Sequence, residues 1–363
     1  MSNCEAERVL FILKIRPGYA ASPSYSEGRS YSEGLYAGNY FSSGLYWSTR
    51  FVVDMLLIAG IQAKLVEVVD NNDISREVAN FKPTTVIIEA LWVVPQKFDE
   101  LKRIHPTVNW VVLLHSNTPF LSQEGIAVQW IKEYALRGIK IGVNQSRAFD
   151  DVREILRDSG LENLVVYLPD YYPVTPKTVA EVEPVSEYIH IACYGAVRPL
   201  KNHLIQAIAA MRFAEQIGKI LVFHINSDIS YAEMGESALS NIRALFKDTP
   251  HILSEDGWMT RNDFMEQLRW IDIGMQVSLS ETFSIVTADM VNVGIPIVVS
   301  PEIGWASFLS KVDPTDSQTI TEGLGYAQIL GGFGVHLNRK HLKNFSKESR
   351  KVWLKFLGCH RAQ

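Results

Sequence analysis

The chain has 363 residues, 47% hydrophobic and 21% charged, with a formal net charge of −5. That length suits two domains of an ordinary globular protein, and no apolar run approaches the roughly 18 residues a membrane span needs. Three scattered cysteines (Cys4, Cys193, Cys359) lack metal-ligand spacing and fit a reducing compartment; with a polar start carrying Glu5 and Glu7, a cytoplasmic location is expected.

Taken in chain order, Val9–Ile15 reads as the first strand, closed by Lys14–Tyr19. Residues 21–47 then form a long insert with a small repeat, Tyr25-Ser26-Glu27-Gly28 and Tyr31-Ser32-Glu33-Gly34. So long a loop inside a compact domain is normally functional or disordered. Its tyrosines, interleaved with Arg29 and flanked by Arg16 and Arg50, offer faces that stack on sugars or nucleobases. A Ser/Gly-rich lid with no specific ligand is the alternative. Further strands are expected at Ala63–Val69, Thr85–Glu89, Val108–His115 and Ile139–Val143. Helices are expected between them at 50–59, 73–80, 95–103 and 124–136. Runs such as Trp110–Leu114 are apolar without alternation, as parallel strands buried on both faces require.

Residues 169–184 hold four prolines, a density that suppresses regular structure and suits a hinge. The second half repeats the scheme. Strands are expected at Tyr188–Cys193, Lys219–Ile225, Ile271–Leu279 and Pro296–Val299, with helices at 202–216, 236–246 and 261–269. The organisation is therefore α/β: a Rossmann-like domain over 1–170, a hinge over 171–187 and a second Rossmann-like domain over 188–344. No G-x-G-x-x-G follows a strand, which weakens a dehydrogenase reading.

Two constellations carry chemistry. After the first strand of the second half, Gly195 permits close backbone approach to a phosphate. Arg198 and Lys201 stand just before a helix, where they can neutralise a diphosphate. Farther on, Ser278-Leu-Ser-Glu281-Thr-Phe-Ser-Ile285 leads into a helix carrying Asp289, and Gly294-Ile-Pro296 turns into the next strand. Acid, helix, acid, turn, strand forms one βαβ unit with its polar groups at a strand's carboxyl end, where open α/β sheets bind ligands.

This segment resembles the Glu-x7-Glu signature of retaining GT-B glycosyltransferases, the superfamily of glycogen synthases and bacterial mannosyltransferases, with Asp289 in place of the second Glu. The resemblance implies two Rossmann-like domains facing across a cleft and a nucleotide-sugar donor, expected to be UDP-linked. By it, Arg198 and Lys201 hold the donor diphosphate and Glu281 meets the donor sugar. The amides of Thr282, Phe283, Ser284 and Ile285 open a helix toward the phosphates, and Asp289 binds the ribose. His115, at a strand end, matches a histidine that reaches from the N-terminal domain to the sugar. Arg16, Gly18, Tyr19, Arg29 and Tyr31 are placed at the acceptor. The last helix, over 345–363, is expected to return to the N-terminal domain. No Asp-x-Asp occurs, so neither a metal nor another cofactor is expected.

The chain also looks like glycosyltransferases of tailed phages, some of which modify hydroxymethylated pyrimidines in DNA. Residues 339–363 are basic, with Glu348 as their one acid, and hint at an anionic partner. The expected acceptor is thus a hydroxyl, with hydroxymethylated DNA as one candidate. A surface polysaccharide or glycolipid is the alternative, and a binding protein without turnover a third reading.

Overall fold

The computed structural model describes residues 7–14, 44–175, 186–227 and 232–359. The expected acceptor residues Arg16, Gly18, Tyr19, Arg29 and Tyr31, and most of the expected hinge, lie outside them.

Eleven strands among the described residues form two parallel sheets. The first contains β1 (Arg8–Lys14), β2 (Gln62–Val68), β3 (Thr85–Glu89), β4 (Asn109–Leu114), β5 (Lys140–Val143) and β6 (Val165–Tyr167), in the order β2-β1-β3-β4-β5-β6. The second contains β7 (Tyr188–Ala196), β8 (Ile220–Asn226), β9 (Ile252–Asp256), β10 (Ile273–Gln276) and β11 (Ile297–Val299), in the order β11-β10-β7-β8-β9. Every paired neighbour is parallel. The strand order reverses between β1 and β3 in one sheet and between β7 and β10 in the other. Such switch points are where crevices open at the strand ends.

Alternate residues of β1 serve opposite faces, as a pleated strand dictates. Leu10 and Ile12 join the cluster with Phe98, Ile131 and Tyr134. Val9 and Phe11 join the other cluster, with Met55, Leu56 and Trp353. Trp353 belongs to a long helix, Ser317–Phe356, broken at Gly331 (φ 43°, ψ −122°). Its first part packs Ile320 and Leu324 into the second domain. Its far end sets Trp353 against Phe11, ring centroids 5.8 Å apart, with Nε1 donating to the Pro169 carbonyl at 2.8 Å.

The expected strand over 271–279 is shorter in the structure. β10 ends at Gln276, because the next amides find partners outside the sheet. Val277 N–H donates to Gln206 Oε1 (2.8 Å) and Leu279 N–H to the Leu200 carbonyl (2.9 Å). Asn202 Nδ2 completes the seam by donating to the Val277 carbonyl at 3.0 Å. The chain thus leaves the ladder to bind the loop after β7, and that departure carries Glu281 to Lys201.

Candidate active site

The loops after β7 and β10 flank the switch point of the second sheet. Gly195 takes φ +109°, a backbone conformation that L side chains rarely adopt, and its N–H donates to Asn226 Oδ1 at 2.9 Å. Arg198 follows in extended conformation, and Pro199–Lys201 make a 3-10 turn. Asn202, left-handed at φ 62°, then starts the helix His203–Gln216. This short path sets Lys201 Nζ on Glu281 Oε2, in an ion pair whose carboxylate is nearly buried. The other oxygen, Oε1, accepts from Thr282 N–H at 3.1 Å. The two residues expected to hold donor phosphate and donor sugar therefore hold each other.

The N-terminal domain reaches the same residue. Asn117 Nδ2 and Gln145 Nε2, from the loops after β4 and β5, both donate to the Glu281 carbonyl, the latter at 3.2 Å. Gln145 Nε2 also donates to the Glu302 carbonyl (3.1 Å), and Arg147 pairs with the Glu302 carboxylate (2.7 Å). The carboxyl ends of the two sheets thus face one another, and Glu281 sits where they touch. Neither Asn117 nor Gln145 carries a role that the sequence pattern marks. The only signal was position, since Asn117 lies two residues beyond His115.

His115 stands at the end of β4, its Nε2 at 2.5 Å from Glu89 Oε2. Glu89 ends β3 and is 1% exposed, and its Oε1 has no hydrogen-bond partner among the described residues. Asn144 and Asp170, just beyond β5 and β6, complete the row, joined by a 2.8 Å hydrogen bond. A cavity of about 10 Å³, the size of one water, is lined by Ser48, Glu89, His115, Asn144 and Asp170. Burial works against a charged imidazole, but the bond to Glu89 and the charges of Glu89 and Asp170 outweigh it. The His115 pKa lies above the ordinary 6.5. Burial also raises the Asp170 carboxyl, with His115 and Asn144 pulling the other way.

The helix amides and the second acid depart from the expected arrangement. The helix begins at Ile285, with Ser284 as its N-cap, so Thr282 and Phe283 precede it. Thr282 N–H is already bound to Glu281. The Phe283 ring stacks on Phe345 (5.4 Å between centroids), and the Phe283 carbonyl accepts from Trp305 Nε1 at 2.7 Å. Phe283 is thus a core residue between the domains.

Asp289 is 1% exposed, and both its oxygens are taken. Oδ1 accepts from Tyr172 Oη at 2.7 Å and from Arg261 Nη2; Oδ2 accepts from Arg261 Nη1 at 3.0 Å. The Arg261 guanidinium lies 4.9 Å from the Trp47 ring and 5.0 Å from the Phe51 ring, both on the N-terminal helix Gly44–Ile58. Burial pushes the Asp289 carboxyl up, against the pull of Arg261 and Tyr172, leaving its pKa above the usual carboxylate value. A ribose contact through this carboxylate has no free oxygen in the arrangement observed. The cause is Arg261, whose bidentate fork outcompetes solvent once Trp47 and Phe51 cover it.

No family model matches the chain, and no curated protein matches it by sequence. Solved structures do resemble it. A UDP-forming α,α-trehalose-phosphate synthase from Burkholderia xenovorans superposes with TM-score 0.58 at 15% identity, over 79% of this chain and 78% of that one. The N-terminal domain of Candida albicans trehalose-6-phosphate phosphatase gives 0.64 at 12% identity, over 98% and 97%. A trehalose-6-phosphate structure from E. coli, bound with UDP-2-fluoro glucose, gives 0.59 at 12%, over 80% and 77%. At such identities the likeness concerns architecture alone, and it is likeness across both domains at once. The chain has the GT-B fold.

Proposed function

We propose that the protein is a retaining glycosyltransferase that moves a sugar from a UDP-linked donor to a hydroxyl acceptor. The observation that carries this reading is the Lys201–Glu281 pair, placed at the switch point of one domain and touched by the loops of the other. A nucleotide sugar entering there meets Lys201 and Arg198 with its diphosphate. It exchanges one anionic partner of Lys201 for another and releases the Glu281 carboxylate to the sugar hydroxyls. The similarity to structures whose names include a UDP-forming synthase and a UDP-2-fluoro glucose complex supports the choice of donor.

In this mechanism the bond from the anomeric carbon to the phosphate oxygen breaks, and its electron pair leaves with UDP. Arg198 and Lys201 stabilise that charge, so catalysis is electrostatic. The acceptor hydroxyl attacks from the face the diphosphate leaves, and its proton passes to the departing phosphate oxygen. No residue acts as nucleophile. His115, held in place by Glu89, orients a sugar hydroxyl from the opposite domain. No cofactor and no divalent ion takes part, and the protein works in the cytoplasm.

For the acceptor we infer a hydroxymethylated pyrimidine in DNA, read by Arg29 and Tyr31 as a flipped base, with Arg16, Gly18 and Tyr19 bordering it. A glycolipid or surface polysaccharide is the competing reading, favoured by the exposed apolar groups along the long helix. A thermal-shift screen of nucleotide sugars identifies the donor. Mass spectrometry of hydroxymethylated DNA and of glycan acceptors then identifies the product. If no nucleotide sugar stabilises the protein and none transfers, the transferase reading is lost. A mass increase on glycan but not on any base moves the acceptor to the alternative.

A further inference from the structure

The helix Ser317–Phe356 has one face that the fold does not use. Its inner face carries Val335, Asn338, Leu342, Ser346, Ser349 and Trp353, all buried. At 3.6 residues per turn, Phe333, Lys340, Lys343, Lys347, Lys351 and Lys355 share the opposite side, and all six are exposed. The five lysines run about 22 Å along the axis, at 1.5 Å per residue. Among the described residues only Lys351 of the five has a carboxylate partner, the equally exposed Glu348 at 2.7 Å. This row belongs to a chain whose total charge is −5, so the remainder of the molecule is distinctly acidic.

At the Gly331 break the same helix changes character. Ile329 is 80% exposed, Phe333 61% and Tyr326 60%, all within two turns of one another. Phe308, 76% exposed, lies in a short turn that packs on this helix. Its neighbours Ser307 and Ser310 are fixed to the helix by Asn338, at 2.9 and 2.8 Å. Large apolar side chains exposed singly are ordinary, but three around one kink are not.

We propose that this helix is a docking surface for an anionic lipid bilayer. Ile329, Phe333 and Tyr326 enter the headgroup layer as an anchor, and the row Lys340–Lys355 lies against the lipid phosphates. Each half alone is weak, since either a short apolar insertion or a polybasic patch gives reversible attachment, and the two together give a stable one. A nucleic acid would need the lysines but would leave the apolar group in water, so the combination favours lipid. The inference holds whichever acceptor the enzyme uses, because the surface is separate from the Lys201–Glu281 site.

The test is co-sedimentation of the full chain with vesicles of phosphatidylcholine alone or mixed with phosphatidylserine. Two variants accompany it, Ile329→Ser with Phe333→Ser, and Lys343→Gln with Lys347→Gln and Lys351→Gln. All five positions are exposed, and unchanged unfolding midpoints verify the fold. Binding is expected only to the anionic vesicles. It should weaken on the order of a hundredfold in the lysine variant and at least about tenfold in the apolar one. Absence of binding, equal binding to neutral vesicles, or indifference to either variant overturns the proposal. So does a dimer that Ile329→Ser dissolves without any vesicle binding, or lysine-dependent capture of duplex DNA in place of vesicles.

Discussion

Arg261 grips Asp289 with both arms of its guanidinium, beneath two aromatic rings that belong to the other domain. The pair is internal to the second domain, yet its shielding from water comes from the first. Arg261→Ala leaves a carboxylate with its main cation gone and almost no solvent, which should cost about 3–5 kcal/mol. Replacing both members by Met and Leu should cost less, since no charge is then stranded. Chemical denaturation of the single and double variants measures the difference; equal losses would place the effect in packing.

Arg198→Ala and Lys201→Ala are each expected to slow turnover by the equivalent of about 2–4 kcal/mol, the usual loss on removing a charge-assisted contact to a leaving group. Lys201→Ala also frees Glu281 from its ion pair, so this variant should bind the UDP product more weakly while keeping its fold. Steady-state kinetics with UDP inhibition checks both. Near wild-type values would take these two residues out of the donor site.

Transfer should survive chelation by EDTA, because the site meets the diphosphate with Arg198 and Lys201. Activity that vanishes with EDTA and returns with manganese would contradict this directly.

Two histidines set opposite slopes in stability against pH. His115 holds its proton more tightly folded than unfolded, on account of Glu89. Its contribution is therefore complete below about pH 6.5 and is lost as pH rises through the higher folded value. Burial, with help from Lys201, lowers His203 to about 3. Its contribution is present above about pH 6.5 and is lost as pH falls toward the folded value. Unfolding midpoints across this range should show Glu89→Gln removing the alkaline decline and leaving the acid one. A decline that persists in Glu89→Gln would assign it to another group.

Much of the scaffold was legible in sequence because its central strands are unbroken apolar runs. Thr85–Glu89 reads as a strand from composition alone, and in the structure all five residues are buried. β6 and β9 escaped notice for the converse reason. Val165–Tyr167 is three residues long, and Ile252–Asp256 is an edge strand with only two apolar residues. The helix Ser146–Arg157 was missed because only Ala148, Val152 and Leu156 face inward, among mostly polar neighbours. Helix Gly44–Ile58 begins before the expected residue 50. Its first turn is held by tertiary contacts, with Gly44 against Ile285 and Trp47 against Arg261. At the site, Glu281, Lys201 and His115 stood out as polar groups at strand ends. Arg261 and Tyr172 did not, since their bonds to Asp289 cross between distant segments that share no local pattern.

The contact between Phe11 and Trp353 has a consequence for how the chain is made. The underside of the first sheet is finished only by Trp353 and Leu357, which are translated long after β1. At ordinary elongation rates the interval is on the order of tens of seconds. Until then the cluster of Val9, Phe11 and Ile87 with Met55 and Leu56 lacks its last apolar cover. The apolar face of the N-terminal domain is thus completed only when the far end of the chain becomes available to it.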